Sequence, residues 1–165
     1  MNIIEILQAE LEQEANTTRK FLSIVPEDKY DWKPHEKSMS LRQLAAHVAE
    51  LPGWVSLTLN TDELDFAKNE YKPVVINNAK ELLDYYESVY ADAKARLATA
   101  TVEELEQTWT LRSGDQIFST GNRYDFIRVT YCQTVHHRAQ LGVFLRLLNV
   151  PIPGSYGPSA DDTSM

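Results

Sequence analysis

The chain has 165 residues, 43% of them apolar and 24% charged, which is ordinary for one globular domain large enough to fold without a structural metal or disulfide. Its formal net charge of −8, from 24 acidic and 16 basic residues, disfavours phosphate backbones and anionic membranes. No block of Lys and Arg offsets it. Cys132 is the single cysteine, so no internal disulfide forms. The segment MNIIEILQAELEQE has no basic n-region, and no apolar run reaches the roughly 20 residues of a membrane span. The expected location is cytoplasmic.

In chain order, the first periodic segment runs from about Asn2 to Val25. Ile3, Ile4, Leu7, Leu11, Ala15, Phe21 and Leu22 recur at three- and four-residue steps, an amphipathic helix that Pro26 ends. A polar connection follows. Ser40-Leu-Arg-Gln43 then reads as a capping box opening a second helix with Leu41, Leu44, Ala45, His47, Val48 and Leu51. Pro52-Gly53 kinks or interrupts it before it resumes from Trp54 to Leu59. Residues 60–76 read as irregular. Asn78 caps a third long helix reaching about Ala98, its apolar side carrying Leu82, Tyr85, Tyr86, Tyr90 and Leu97. A short helical turn from Thr101 precedes a hairpin around Ser113-Gly114-Asp115. The last helix extends from near Asn122 to about Leu148, where Asn149 and Pro151 stop it. Four long helices and one small hairpin predict an all-α four-helix bundle, a single domain over 1–165 whose tail, 151–165, packs on the bundle. Bundles of this kind place metal and cofactor sites in the core, on facing helices.

Four histidines are available. His35 reads as a solvated loop residue. His47 shares the inward stripe of Leu44 and Leu51, where a lone histidine is more often a hydrogen-bonded core residue than a ligand. On the last helix, Phe126, Thr130, Gln133, His137, Leu141, Phe144 and Leu148 mark one stripe, with Gln133 and His137 one turn apart. His136 lies about 100 degrees away, beside Cys132, Val143 and Leu147. Two constellations therefore compete: His47, Gln133 and His137, favoured by the helix phase, or His47, Cys132 and His136, a softer set suited to zinc or copper.

Two stretches resemble a known family. KYDWKPHEKSMSLRQLAAHVAEL is similar to the second-helix signature of DinB-like (damage-inducible) bacterial proteins, with a Trp-x-Pro and a Ser ahead of a helix bearing a metal-binding His. TVHHRAQLGVFLRLLNVPIPGSYGPSAD resembles the family's end, with its His-Arg-x-Gln-Leu run, Leu-Arg pair and closing Tyr-Gly-Pro-Ser. The resemblance implies a four-helix bundle, often a homodimer. It also implies a three-histidine metal site, one ligand from the second helix and two from a His-x-x-x-His on the last. The matching positions are His47, His137 and Gln133, the last not a histidine. Zinc or nickel is the divalent ion the resemblance implies. The activities it implies are a metal-dependent hydrolase or a transferase using a low-molecular-weight thiol, with a small-molecule substrate. Gln133 carries the competing reading, a non-catalytic dimeric binding or stress-response module whose metal site is degraded.

Further positions are candidates for supporting the site or the substrate: Glu50, three residues past His47, otherwise a solvated surface acid; Arg138, otherwise one half of an ion pair across the bundle; Gln140; and Tyr156, which leans over the bundle mouth or pins the tail. Trp32 and Trp54 read as packing residues. The tyrosine stripe reads as core and interface, and Cys132 as a buried or interface thiol. A Gly-rich phosphate loop, a Gly-x-Ser-x-Gly elbow and a Cys-x-x-Cys pair are all missing from the sequence, which argues against P-loop, serine-hydrolase and zinc-ribbon chemistry. Neither nucleic acid nor membrane is an expected partner.

Overall fold

The computed structural model describes residues 2–163; Met1 and the last two residues of the expected tail, Ser164 and Met165, lie outside the described residues. Six helices and three strands follow one another: α1 (Ile3–Leu22), α2 (Leu41–Glu50), α3 (Gly53–Asn60), β1 (Glu63–Asp65), α4 (Ala79–Ala98), α5 (Val102–Leu105), β2 (Thr108–Ser113), β3 (Gln116–Asn122) and α6 (Arg123–Leu147), with a 3₁₀ turn at Glu27–Lys29.

Helix starts are set by local chemistry. The Asn2, Ser40 and Thr101 side chains each accept the N–H three residues on, and an acid or amide at that position reaches back to the cap. Asn78 and Asn122 cap α4 and α6 through their side-chain oxygens. Helix α1 ends at Leu22, three residues short of the expected Val25. The Ser23 hydroxyl bonds the Lys20 carbonyl, and the last turn tightens so that Val25 precedes Pro26 outside the helix. At Leu51-Pro52 the second rod breaks into α2 and α3.

These pieces assemble as four rods, in which α2 and α3 together pack on both α4 and α6, and α1 packs on the same two from the other side. The core joins Leu7, Leu11 and Leu22 of α1, Leu44 and Val48 of α2, Leu82, Tyr86 and Leu97 of α4, and Ile127, Leu141 and Leu145 of α6, all nearly or fully buried. Each such leucine stabilises the fold by roughly 1.5–3 kcal/mol relative to exposure. Gly142 lets α1 close on α6: a Cβ there would sit 3.1 Å from the Phe21 ring.

The architecture is therefore not purely all-α. A three-stranded sheet, ordered β1-β2-β3, sits at one end of the bundle. The expected hairpin is β2–β3, antiparallel, turning at Gly114 with φ +57°, where glycine has no Cβ to clash. The added strand is β1, in the segment read as irregular; it runs parallel to β2, with Glu63 opposite Thr110. Parallel neighbours need a long crossover, and here α4 and α5 supply it. Trp109 of β2, fully buried, seats the sheet: its ring meets Phe126 at 4.5 Å, and its Nε1–H donates to Thr61 Oγ1 at 3.0 Å.

Among the described residues no helix is long and apolar enough to cross a membrane.

Candidate metal and ligand site

The phase of α2 is fixed by its capping box. Ser40 Oγ accepts from Gln43 N–H at 3.2 Å, and Gln43 Oε1 accepts from Ser40 N–H at 2.8 Å. With Leu41, Leu44, Val48 and Leu51 buried, His47 falls at the edge of the core, facing α6. On α6 the stripe from Phe126 to Leu148 is buried or half-buried at both ends and opens in the middle, where Gln133 is exposed and His137 half-buried. The two helices bring His47 and His137 together, ring centroids 4.4 Å apart and planes at 81°.

Each ring is held by its Nδ1. His47 Nδ1 lies 2.6 Å from Glu50 Oε1, and a carboxylate oxygen only accepts, so Nδ1 carries the proton. His137 Nδ1 meets Gln140 Oε1 at 3.1 Å, and the same amide turns its Nε2 toward His136 Nε2 at 3.0 Å. That chain orients both donors: His137 Nδ1–H to Gln140, and Gln140 N–H to His136. With Nδ1 engaged on each ring, Nε2 is the atom each facing histidine has left to meet a metal, an arrangement in which the outer oxygen fixes the orientation of the ring. Burial depresses the His137 pKa, and repulsion from His47 adds to this against the opposing Gln140 hydrogen bond. The ring is thereby kept neutral and able to ligate.

Glu50 is not a solvated surface acid. Its side chain is 11% exposed, and Tyr71 donates to both its oxygens, at 2.8 and 3.0 Å. Burial, and then the Glu50 carboxylate, push the Tyr71 phenol far above its ordinary pKa, so it stays a donor. Tyr71 comes from the 66–76 segment between β1 and α4, which closes over α2. The start of that segment is fastened by Asp65, whose buried Oδ1 accepts from Ala67 N–H at 3.0 Å and Gly114 N–H at 2.9 Å. These two bonds, Gly114 first, hold the Asp65 carboxyl below the usual range.

Beneath the segment lies a cleft of about 360 Å³, lined by Met39, Arg42, Ala46, His47, Trp54 and Phe66 among others. A second hollow of about 310 Å³ lies on the other side of His47 and Trp54, and Gln133 lines it with Phe126 and Thr130. His137 and Gln140 border a third hollow with Phe144.

The remaining candidates fall elsewhere. Cys132 is exposed on the outer stripe of α6 rather than buried, and His136 beside it is exposed too, tied to the site through Gln140 and through its ring, 4.8 Å from that of His137. Arg138 turns from the histidines into the α1 side of the bundle. Its Nη2 lies 2.7 Å from Glu14 Oε2, and its Nη1 donates to Thr18 Oγ1 at 3.0 Å, with both charged side chains under 8% exposed. Tyr156 caps this pair, donating to Glu14 Oε1 at 2.5 Å, and so fastens the tail. His35 is exposed in a turn, its Nδ1 accepting from Lys37 N–H. Tyr71, Trp54 and Arg42 escaped sequence reasoning as site residues. Arg42 adjoins the capping box, a signal that could have flagged it; the exposed loop position of Tyr71 carries none.

Two facing imidazoles are donors of the kind that would suit a divalent ion such as zinc or nickel, and Gln133 shares a hollow with His47. Among the described residues, no three His, Cys, Asp or Glu side chains converge in a metal-holding group.

The sequence profile of the DinB family matches residues 3–164. Solved structures share the fold. A DinB-like protein from Bacillus subtilis superposes with a TM-score of 0.71 at 16% identity, covering 90% of this chain and 96% of its own. One from Bacillus cereus gives 0.71 at 18%, covering 91% and 95%. A candidate member of the DinB family from Exiguobacterium sibiricum gives 0.69 at 18%, covering 93% and 97%. Among curated proteins no sequence matches. With the family profile spanning nearly its whole length, the chain belongs to the DinB family.

Proposed function

We propose that this protein is a metal-dependent enzyme acting on a small molecule, with His47 and His137 holding a divalent ion through their Nε2 atoms. The observation that carries the reading is the pair of facing imidazoles, each with Nδ1 tied to an oxygen acceptor and Nε2 left bare. When bound, the ion supplies Lewis acidity toward a water or a thiol, the chemistries of a hydrolase and of a thiol-dependent transferase. Glu50 keeps the His47 ring oriented, and Tyr71 keeps Glu50 in place. Trp54 and Phe66 give the adjoining cleft apolar walls that exclude water from a bound substrate.

Gln133 favours a second reading, a binding module whose metal site has weakened, because the amide replaces an imidazole at the third position. Elemental analysis of untagged protein purified without chelator separates the two. Near-stoichiometric zinc or nickel, lost in His47→Ala and His137→Ala, supports the enzyme. Metal-free protein that also fails to bind zinc, nickel or manganese supports the module.

A homodimer belongs to the same proposal. Val129, Cys132, His136, Ala139, Val143 and Leu147 recur at three- and four-residue steps on α6 and are all exposed. Such an apolar stripe favours a second copy as its cover. Sedimentation equilibrium of the wild type and of Val143→Glu tests this.

A further inference from the structure

We infer that the cleft between α2, α3 and the 66–76 segment binds an elongated apolar small molecule carrying an anionic group, with that group on Arg42. The inference rests on the proposed function only in placing the substrate's reacting end beside His47; binding itself needs no metal.

The volume of about 360 Å³ suits a compact organic ligand. Met39, Ala46, Trp54, Phe66, Pro73 and Val74 make most of its wall apolar. Its polar groups gather at two ends. Around Glu50 they satisfy one another: both carboxylate oxygens are engaged, by His47 and by Tyr71. Arg42 is different. Its guanidinium lies over the Tyr30 ring at 5.2 Å, its Nε is buried with no hydrogen-bond partner, and its one side-chain hydrogen bond among the described residues runs from Nη2 to Asp31 Oδ1 at 3.3 Å. That contact is long, and the Asp31 side chain is 91% exposed, so water screens it and it holds Arg42 weakly. The Nη1 and Nη2 end of the guanidinium, drawn on only by that weak contact among the described residues and set beside an apolar cleft, suits a carboxylate, which can take two parallel charge-assisted bonds. Gln43 adds a donor: the capping box uses its Oε1, leaving its Nε2 on the same wall. Arg42 and His47 are five residues apart on one helix, about 7–8 Å along its axis. The two are also about 140 degrees apart around the axis, and an aromatic body of two fused rings extends from Arg42 toward His47 along the cleft that both line.

The test is a ¹⁵N NMR titration of the metal-free full chain with 2-naphthoate and with its neutral counterpart 2-naphthalenemethanol. The expected result is naphthoate binding at least about tenfold tighter, with shifts at the Ala46 and Val74 amides and the Trp54 indole. Arg42→Gln should bring naphthoate to the alcohol's affinity and leave the alcohol unchanged. Asp31→Asn, a change at an exposed side chain, should tighten naphthoate about two- to threefold by removing the competing carboxylate. Equal affinity of the two probes, no binding of either, shifts confined to other surfaces, or unchanged naphthoate affinity in both variants would overturn the inference. His137→Ala, at a side chain that borders a different hollow, separates it from the metal reading: that variant should lose zinc and keep naphthoate.

Discussion

Replacing Glu50 by Gln keeps the shape of the side chain and removes its charge at the one place where that charge orients His47. In the wild type the carboxylate accepts from His47 Nδ1 at 2.6 Å and from the Tyr71 hydroxyl at 2.8 and 3.0 Å, with only 11% of the side chain exposed. A glutamine has one acceptor oxygen. It can still face Nδ1, while the Tyr71 hydroxyl rotates to accept from the new amide. The ring therefore keeps its tautomer and loses charge assistance. A hydrogen bond to a charged group contributes about 1.5–3 kcal/mol against 0.5–1.5 for a neutral one, so the change removes about 1–2 kcal/mol from the metal-bound state. That is about a 5- to 30-fold weaker affinity for zinc, of the size expected for an outer partner of a ligating histidine. Competition with a chromophoric chelator measures it. Tyr71→Phe is the comparison: it leaves the Glu50–His47 contact intact and should lower affinity by less than twofold. Wild-type affinity in Glu50→Gln, or an equal loss in Tyr71→Phe, would refute the reasoning.

Three other outcomes are expected. Gln133→His should tighten zinc at least about tenfold by adding an imidazole donor; an unchanged affinity in a chelator competition would mean that position 133 does not face the ion. Arg138→Met should lower the urea-unfolding free energy by about 3–5 kcal/mol, since it strands the buried Glu14 carboxylate, and a loss below 1 kcal/mol would show that the pair is replaceable. Metal-free protein should lose stability as pH falls through about 6.5, the ordinary histidine value. Because the folded-state pKa of His137 is depressed, the unfolded chain takes up the proton first, so this stability is complete above that pH and declines toward the folded value. His137→Gln should show a shallower decline between pH 8 and 5.5 in urea titrations, and an identical decline would count against the buried neutral ring.

The bundle was legible because its signals are local. The Ser40 capping box, the Asn78 cap and the apolar stripes on α1, α4 and α6 depend only on residues within a few turns. His47 and His137 could be paired because helix phase favoured them over the set of His47, Cys132 and His136 and the family resemblance matched the same positions; periodicity left both sets open, since each pair on the last helix is one turn apart. Strand β1 could not: three residues are too few for an alternating pattern, and its Asp65 is a poor strand former, buried here only because distant Gly114 and nearby Ala67 satisfy it. The docking of Tyr71 on Glu50 depends in turn on that clamp, across 21 residues of chain. Glu50 accordingly read as a solvated acid, although its distance from His47 was plain. Arg138 shows the opposite limit. Its position directly after His137 puts it off the ligand stripe, but only the fold reveals that Glu14 and Tyr156 meet it there.

The most direct test of the central claim is X-ray absorption at the zinc edge of protein loaded with one equivalent of zinc. The account predicts two imidazoles per zinc, the other nearest neighbours being oxygen. A spectrum with no imidazole scattering, with a sulfur neighbour from Cys132, or with the two-imidazole signal intact in His47→Ala would contradict it.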